Sequence, residues 1–172
     1  MVRLARKDDA TFLAGVEQSS SALFLTIPDL TWIAAAPLTT LDDHLASIAG
    51  GTMWVALDET NTISGFLLAE VCERDLHICE LSVHLDHQRR GVGARLIGAA
   101  ADFARREALG RVTLTTFRDV PWNAPYYARL GFFVIGEADF DGRLRAVIAR
   151  EVRIGLPVER RCAMQLLLGD VA

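Results

Sequence analysis

Gln88-Arg89-Arg90-Gly91-Val92-Gly93-Ala94-Arg95-Leu96 marks a junction between two different hydrophobic periodicities. Residues 76–83 upstream are apolar and strand-like. Downstream, apolar residues recur at helical spacing, namely Val92, Leu96, Ala99, Ala100, Phe103 and Ala104. The pattern predicts a strand, a basic turn with two glycines, and a helix over residues 91–109.

A turn of this kind is suited to holding phosphate. The first N–H groups of a helix have no intrahelical partner, and the helix dipole is positive at that end. Gly91 and Gly93 would let a ligand approach the backbone closely, while Arg89 and Arg90 add permanent positive charge. The turn is therefore a candidate anion site.

The pattern Gln88-x-x-Gly91-x-Gly93 resembles the acyl-CoA motif of the GCN5-related N-acetyltransferase (GNAT) superfamily. A second stretch resembles the later motif of that family, Asn123-Ala124-Pro125-Tyr126-Tyr127-Ala128-Arg129-Leu130-Gly131-Phe132. The order and separation of the two motifs also fit. The Pro-Trp-Asn-Ala-Pro-Tyr-Tyr form at 121–127 is similar to one bacterial branch, although Asn123 lies closer to Tyr127 than in many relatives.

This resemblance implies an α/β (α+β) fold, with a mixed, mostly antiparallel central sheet of about six or seven strands flanked by helices. In the GNAT fold the fourth and fifth strands splay apart, so that the pantetheine arm can insert. We expect a single domain over residues 1–172, because the sequence contains no repeat, linker or low-complexity tract.

The local patterns predict elements in an order compatible with that fold. Strands are expected at 2–6, 53–57, 63–72, 76–84, 112–116, 132–135 and 162–168, and helices at 10–20, 41–49, 91–109, 122–130 and 142–155. Asp8 or Asp9 and Thr39 or Thr40 are candidate helix caps, Gly110 is the expected end of the long helix, and residues 19–37 should be irregular. The helix at 142–155 is extra to the family core and either packs, shapes the acceptor side or contacts a second copy.

Composition narrows the classes of function. Apolar residues make up 51% of the 172 residues and charged residues 23%, as in globular proteins. The net charge of −4 argues against a nucleic-acid surface. No apolar run reaches the ~20 residues of a membrane span, which together with the polar start predicts a cytoplasmic protein without membrane contact. Cys72, Cys79 and Cys162 are expected to be buried thiols, and no metal site is predicted.

The resemblance carries over a set of site residues. Acetyl-CoA would be held by two groups: Leu81, Ser82, Val83, Gln88, Arg89, Arg90, Gly91, Val92, Gly93, Ala94 and Arg95, and then Asn123, Tyr126 and Tyr127. A backbone N–H among residues 81–83, best at Val83, would face the thioester oxygen. The alternative is that residues 81–83 belong to an ordinary strand of the sheet with no role in cofactor binding, which would explain their apolar side chains equally well.

Two residues are candidate catalysts. Tyr127 would protonate the CoA sulfur, because a phenol keeps its proton at neutral pH, with a core tyrosine and Tyr126 as alternatives. Glu80 would be the general base, with a solvent-facing or salt-bridged glutamate and Glu70 as alternatives. His84 and His87 fit surface histidines better, and His44 and His77 show no pattern.

The predicted function is transfer of an acetyl group from acetyl-CoA to the primary amine of a small molecule, by direct attack in a ternary complex. Phe24, Trp32 and Trp122 would line the acceptor site. The alternatives are a non-catalytic acyl-CoA-binding or sensing module and a protein or peptide N-acetyltransferase. Whether the chain forms a homodimer stays open.

Overall fold

The computed structural model describes residues 1–169. Within these residues the chain forms seven strands, five helices and several short 3-10 helices. The strands are β1 (Val2–Leu4), β2 (Met53–Leu57), β3 (Ile63–Cys72), β4 (Asp75–Val83), β5 (Arg111–Phe117), β6 (Phe133–Val134) and β7 (Arg161–Leu167). The helices are α1 (Ala10–Ser21), α2 (Leu41–Ala49), α3 (Val92–Arg106), α4 (Ala124–Arg129) and α5 (Gly142–Arg153).

The strands form one sheet in the order β1-β2-β3-β4-β5-β7-β6. β1 with β2, β2 with β3, β5 with β7 and β6 with β7 are antiparallel. β4 and β5 are parallel, as expected for strands joined by a helical crossover, and their register joins Asp75–Ile78 to Arg111–Leu114. The predicted mixed, mostly antiparallel sheet with flanking helices is confirmed.

The chain divides into two compact units. The first comprises Met1–Glu70 and Cys79–Phe103 and has a core of Leu13, Val16, Met53, Val55 and Phe66. The second comprises Val71–Ile78 with the described residues from Ala104 onward, and Ile135, Leu144 and Ala163 form a buried cluster there. That the residues 1–172 act as one domain stays a prediction, and residues 170–172 lie outside the described part.

The end of α3 differs from the prediction. The helix stops at Arg106, three residues before the expected end at residue 109. Ala108 takes a left-handed conformation with φ of 52°, and the N–H of Leu109 donates to the carbonyl of Ala104 over 2.9 Å. This is the geometry usually supplied by glycine, so the prediction that Gly110 ends the helix is wrong.

The segment at 19–37 is more regular than predicted. Two 3-10 helices, Ala22–Thr26 and Pro28–Ala35, occupy most of it. Thr40 caps α2 by accepting from the N–H of Asp43 over 3.2 Å, as predicted. Asp9 does not cap α1, because its carboxylate accepts from the N–H of Arg6 and pairs with the Arg3 guanidinium at 2.7 Å.

The cysteine prediction holds for one residue. Cys162 is buried, whereas Cys72 is half-buried and Cys79 is exposed. Strand parity explains the difference, because Ile78 and Cys79 face opposite sides of β4 and only Ile78 lies in the core. Among residues 1–169, no helix is long and apolar enough to cross a membrane.

Candidate active site

The basic turn contains two residues in the left-handed backbone conformation. A 3-10 turn, Leu85–His87, follows β4, and the side-chain amide of Gln88 donates to the carbonyl of Val83 over 3.0 Å. Arg89 and Gly91 both have positive φ, 59° and 73°. Left-handed residues of this kind turn successive N–H groups toward a common point, which is how backbone anion sites are built.

The start of α3 places further donors beside this turn. The first helical hydrogen bond runs from the N–H of Arg95 to the carbonyl of Gly91 over 3.1 Å, so the N–H groups of residues 92–94 precede the helical ladder. Arg95 folds back and donates to the carbonyl of Arg90 over 3.0 Å. A Cβ at Gly91 would lie 3.4 Å from the Arg95 guanidinium and would also be strained by its φ.

Along the last residues of β4, the backbone N–H and C=O groups point alternately toward β3 and toward the opposite edge of the strand. The N–H of His84 donates to the carbonyl of Ser64 on β3 over 3.0 Å. Because successive residues of a strand point to opposite edges, Ser82 also faces β3, and a Cβ at Gly65 would meet its carbonyl oxygen at 2.9 Å. The backbone groups of Leu81 and Val83 therefore point toward the edge of β4 away from β3.

Glu80 lies in a polar network that joins β4 to α1. Ser82 donates to the Glu80 carboxylate over 2.8 Å, and Ser20 donates to Ser82 over 3.0 Å. Burial, and then the nearby negative charge of Glu17, raise the pKa of Glu80 to about 7, although the hydrogen bond from Ser82 acts in the opposite direction. A carboxylate with this pKa can accept a proton near neutral pH.

Glu17 was missed by the sequence reasoning. Its carboxylate accepts from the N–H of Thr39 at 3.1 and 3.2 Å and lies 3.8 Å from the buried Nε2 of His44. Glu17 and Ser20 are three residues apart on α1 and therefore share a face of the helix. That spacing was the signal available in the sequence.

The second unit holds the other predicted residues of the later motif. The side-chain oxygen of Asn123 accepts from the hydroxyl of Thr116 at 2.9 Å and from the N–H of Phe117 at 3.3 Å. Its backbone carbonyl accepts from the N–H groups of Tyr126 and Tyr127 at 2.8 and 3.0 Å. Asn123 thus fixes the start of α4 on β5, and it was predicted only as a cofactor residue.

Tyr127 is half-buried and packs edge-on against Phe132 and Tyr126, with ring centroids 5.7 and 5.5 Å away. Burial, and then Tyr126, raise the pKa of the Tyr127 phenol above its ordinary value. Burial also raises the pKa of Tyr126, which the Arg129 guanidinium opposes from above its ring. Both phenols therefore keep their protons at neutral pH.

The predicted acceptor residues are spread along the chain. Phe24 and Trp122 are half-buried, and Trp32 is 40% exposed. The first unit contains Phe24 and Trp32, and the second contains Trp122. A cavity of about 400 Å³ in the second unit is lined by none of these three aromatic residues. No group of three or more metal-ligating side chains occurs among the described residues.

The sequence-predicted residues therefore form two sets. The first unit brings together the strand residues Glu80 to Val83 and the turn Gln88 to Arg95, with Glu17 and Ser20 added by the structure. The second unit brings together Asn123, Tyr126 and Tyr127.

Comparison with known proteins places this geometry in a family. The model of the acetyltransferase (GNAT) family matches residues 22–132, which is more than half of the chain. Similar solved structures include a PaiA N-acetyltransferase from Thermoplasma acidophilum in complex with coenzyme A, at 15% identity and a TM-score of 0.72, covering 98% of both chains.

Two further structures extend the comparison. The Rv2747 protein of Mycobacterium tuberculosis, solved with CoA, is 18% identical with a TM-score of 0.71, covering 98% of this chain and 99% of that one. N-acetylglutamate synthase from Neisseria gonorrhoeae, complexed with coenzyme A and L-arginine, is 16% identical with a TM-score of 0.68, covering 98% of this chain and 33% of that one. At these identities the likeness shows the fold.

Proposed function

The chain belongs to the acetyltransferase (GNAT) family, and from this premise we propose that it moves the acetyl group of acetyl-CoA to the primary amine of a small molecule. The observation that carries the proposal is the turn at Arg89 and Gly91, whose positive φ angles precede the start of α3. A diphosphate needs several convergent N–H donors, and residues 89–94 are the place where the chain offers them.

The donor fits the residues of the first unit. The N–H groups of residues 92–94 and the nearby guanidinium groups would hold the diphosphate of acetyl-CoA. The backbone groups of Leu81 and Val83, which point away from β3, would pair with the pantetheine amides. The N–H of Val83 would face the thioester oxygen and stabilise the charge that develops there.

Glu80 would remove the proton that the amine must lose. The amine nitrogen forms a bond to the acetyl carbon while the bond from that carbon to sulfur breaks. With a pKa of about 7, Glu80 is sufficiently ionised at neutral pH to take the proton, directly or through a water. Ser82 and Ser20 hold its carboxylate in place.

Tyr127 would supply the proton that the departing thiolate gains. Its raised pKa keeps the phenol protonated across the working range. Together the two residues balance the reaction: one proton leaves the amine for Glu80, one passes from Tyr127 to sulfur, and proton exchange with solvent then returns both residues to their starting states. Asn123 would act through α4, by holding the start of the helix that carries Tyr127.

The nature of the acceptor is the least constrained part of the proposal. Phe24, Trp32 and Trp122 offer accessible aromatic surface of the kind that binds the apolar part of a small amine. A cytoplasmic location, membership of the bacterial branch and a homodimer remain predictions of the sequence.

A thiol-release assay tests the proposal. Acetyl-CoA is offered with polyamines, amino acids, aminoglycosides and peptides in separate reactions, and we expect release with at least one small primary amine. Glu80→Gln should suppress it, and Glu70→Gln, an exposed change on β3, is the matched control. CoA binding without release from any acceptor would indicate a sensing module, and release from peptides alone would indicate a protein acetyltransferase.

A further inference from the structure

The second unit contains an open cavity of about 400 Å³, and none of its lining residues is assigned a role in the proposed transfer. It lies beside α5, which follows the residues that the family model matches. Its lining comes from α5, from the segment after β6, from the 3-10 helix Val158–Arg160, from the start of β7 and from the residue after β5. Every lining residue belongs to the second unit.

One wall of the cavity is apolar. The lining residues of α5 include Ile148, Ala149 and Val152, which lie on one face of the helix. Val152 and Val158 are 43% and 54% exposed, so apolar surface is available at this site. Burial raises the pKa of the Cys162 thiol, which therefore stays neutral and adds to the apolar lining.

The charged residues of the lining are mostly arginines. Arg161 is already satisfied, because its guanidinium pairs with Glu151 at 2.6 Å and lies over the ring of Phe117 at 4.7 Å. The Arg118 guanidinium donates one hydrogen bond to the carbonyl of Arg161 over 3.0 Å. Within the described residues, no side-chain hydrogen bond or ion pair involves Arg145.

Positive charge therefore exceeds negative charge around the cavity. Because Glu151 balances Arg161, the lining leaves two arginines, Arg118 and Arg145, against one carboxylate, Glu137, in a chain whose net charge is −4. A guanidinium has five donors in a planar fork, so Arg118 and Arg145 both retain donors for a ligand. A carboxylate is the group that this fork matches best, whereas an ammonium group would be repelled.

We propose that this cavity binds a small organic carboxylate, with the carboxylate group on Arg145 and Arg118 and an apolar body against Ile148, Val152 and Val158. The volume is within the usual range of about 300–1,000 Å³ for small-molecule sites. None of the lining residues has a role in the proposed acetyl transfer, so the proposal does not depend on that function.

Calorimetry with three probes that share one hydrocarbon body tests the proposal. Hexanoate should bind, while hexylamine and hexanol should bind at least about tenfold more weakly, as expected for loss of a charge-assisted pair. All titrations are made with saturating CoA, so that the acyl channel of the donor site is filled. If CoA abolishes hexanoate binding, hexanoate occupies the donor site and the proposal fails.

Variants locate the bound acid. Arg145→Gln should weaken hexanoate binding about tenfold or more, and Ala149→Trp should abolish it by filling the cavity without changing the charge. Arg150→Gln on the same helix lies outside the lining and should leave binding unchanged. Equal affinity for hexanoate in all three variants, or binding of acidic peptides without hexanoate, would overturn the proposal.

The result can be separated from the fate of the transferase proposal. Gly91→Asp is expected to lose CoA binding, and in that variant hexanoate should still bind in the absence of CoA. Retained hexanoate binding there would support the cavity site whatever the outcome for acetyl transfer. Loss of hexanoate binding in a folded Gly91→Asp variant would contradict it.

Discussion

The surroundings of Glu80 move the pKa of its carboxyl group into the neutral range. It is half-buried on β4, receives a hydrogen bond from Ser82, and has its pKa raised to about 7. Glu80→Gln should lower kcat about 100-fold or more, the usual loss for a general base, with little change in CoA affinity. Steady-state kinetics measure the change in kcat, with Glu70→Gln as the control variant. An unaffected kcat in Glu80→Gln would assign Glu80 a structural role.

The pH dependence of the rate follows from the same residue. The base must be ionised, so kcat should rise with pH through about 7 and then level off. Glu17→Gln removes a negative charge that raises the pKa of Glu80, so this limb should move to lower pH. Asp42→Asn, an exposed change on α2, serves as the control, and an unmoved limb in Glu17→Gln would refute the coupling.

Tyr127 is expected to affect turnover rather than binding. Tyr127→Phe removes only the hydroxyl and keeps the ring that packs on Phe132 at 5.7 Å. We expect kcat to fall about 10- to 100-fold while the Kd for CoA stays constant. Tyr126→Phe is the matched control, and an equal loss of rate in both variants would show that neither phenol is the specific acid.

At the scale of elements, β4, β5 and α5 are joined by a charged network. Asp75 on β4 pairs with Arg111 at 2.9 Å and with Arg143 at 3.2 Å. His77 lies beside it, buried, with its Nδ1 3.0 Å from the hydroxyl of Thr113. Burial, and then the Arg143 guanidinium, lower the pKa of His77 to about 4.

This lowered pKa predicts acid sensitivity. Between pH 6.5 and about 4 the unfolded chain binds a proton at this position that the folded protein excludes, so stability falls as the pH falls. The loss should amount to at most about 3 kcal/mol. Urea unfolding at several pH values should show a shallower acid slope for His77→Gln than for the wild-type protein.

The contribution of Glu80 to stability changes with pH in the opposite direction to that of His77. Glu80 is therefore replaced in both proteins of the comparison. Its pKa is raised from 4.5 to about 7, so its contribution to stability is lost as the pH rises through this window. Comparing His77→Gln with its parent in a Glu80→Gln background isolates the histidine. An unchanged acid slope in that pair would show that His77 is not buried as described.

The sequence predicted the elements that depend on local signals. The helix after the basic turn, the cap at Thr40 and the strand order around the crossover all follow from periodicity, capping or the family motifs. It could not predict the end of α3, since Ala108 adopts a conformation that its residue type disfavours. The 3-10 helices at 22–35 have no periodicity of their own to reveal them.

The same distinction applies to the site. Glu80 and the turn at Gly91 could be found because a family motif or strand parity marks them. Glu17 and His44 could not, because they act through contacts that link α1, α2 and β4 across the sequence. The structure adds what the sequence lacks, namely the neighbour that raises the pKa of Glu80.

At the scale of the whole molecule, an acidic chain carries a basic turn. The net charge is −4, yet Arg89, Arg90 and Arg95 lie within seven residues of one another at the start of α3. Because screening limits charge effects to about 10 Å at 0.1 M salt, such a cluster acts locally and does not give the protein a general affinity for nucleic acid. We expect the diphosphate of acetyl-CoA, the donor that the family assignment implies, to be the anion that this cluster binds.

Calorimetric titration of CoA into the wild-type protein, Gly91→Asp and Gly98→Asp tests the central claim most directly. Gly98 lies on the same helix, and a Cβ there meets nothing within 4 Å. We expect Gly91→Asp to abolish measurable binding, since it puts a carboxylate beside the diphosphate, while Gly98→Asp binds CoA like the wild type. Full CoA affinity in a folded Gly91→Asp variant would contradict the assignment of this turn as the donor site.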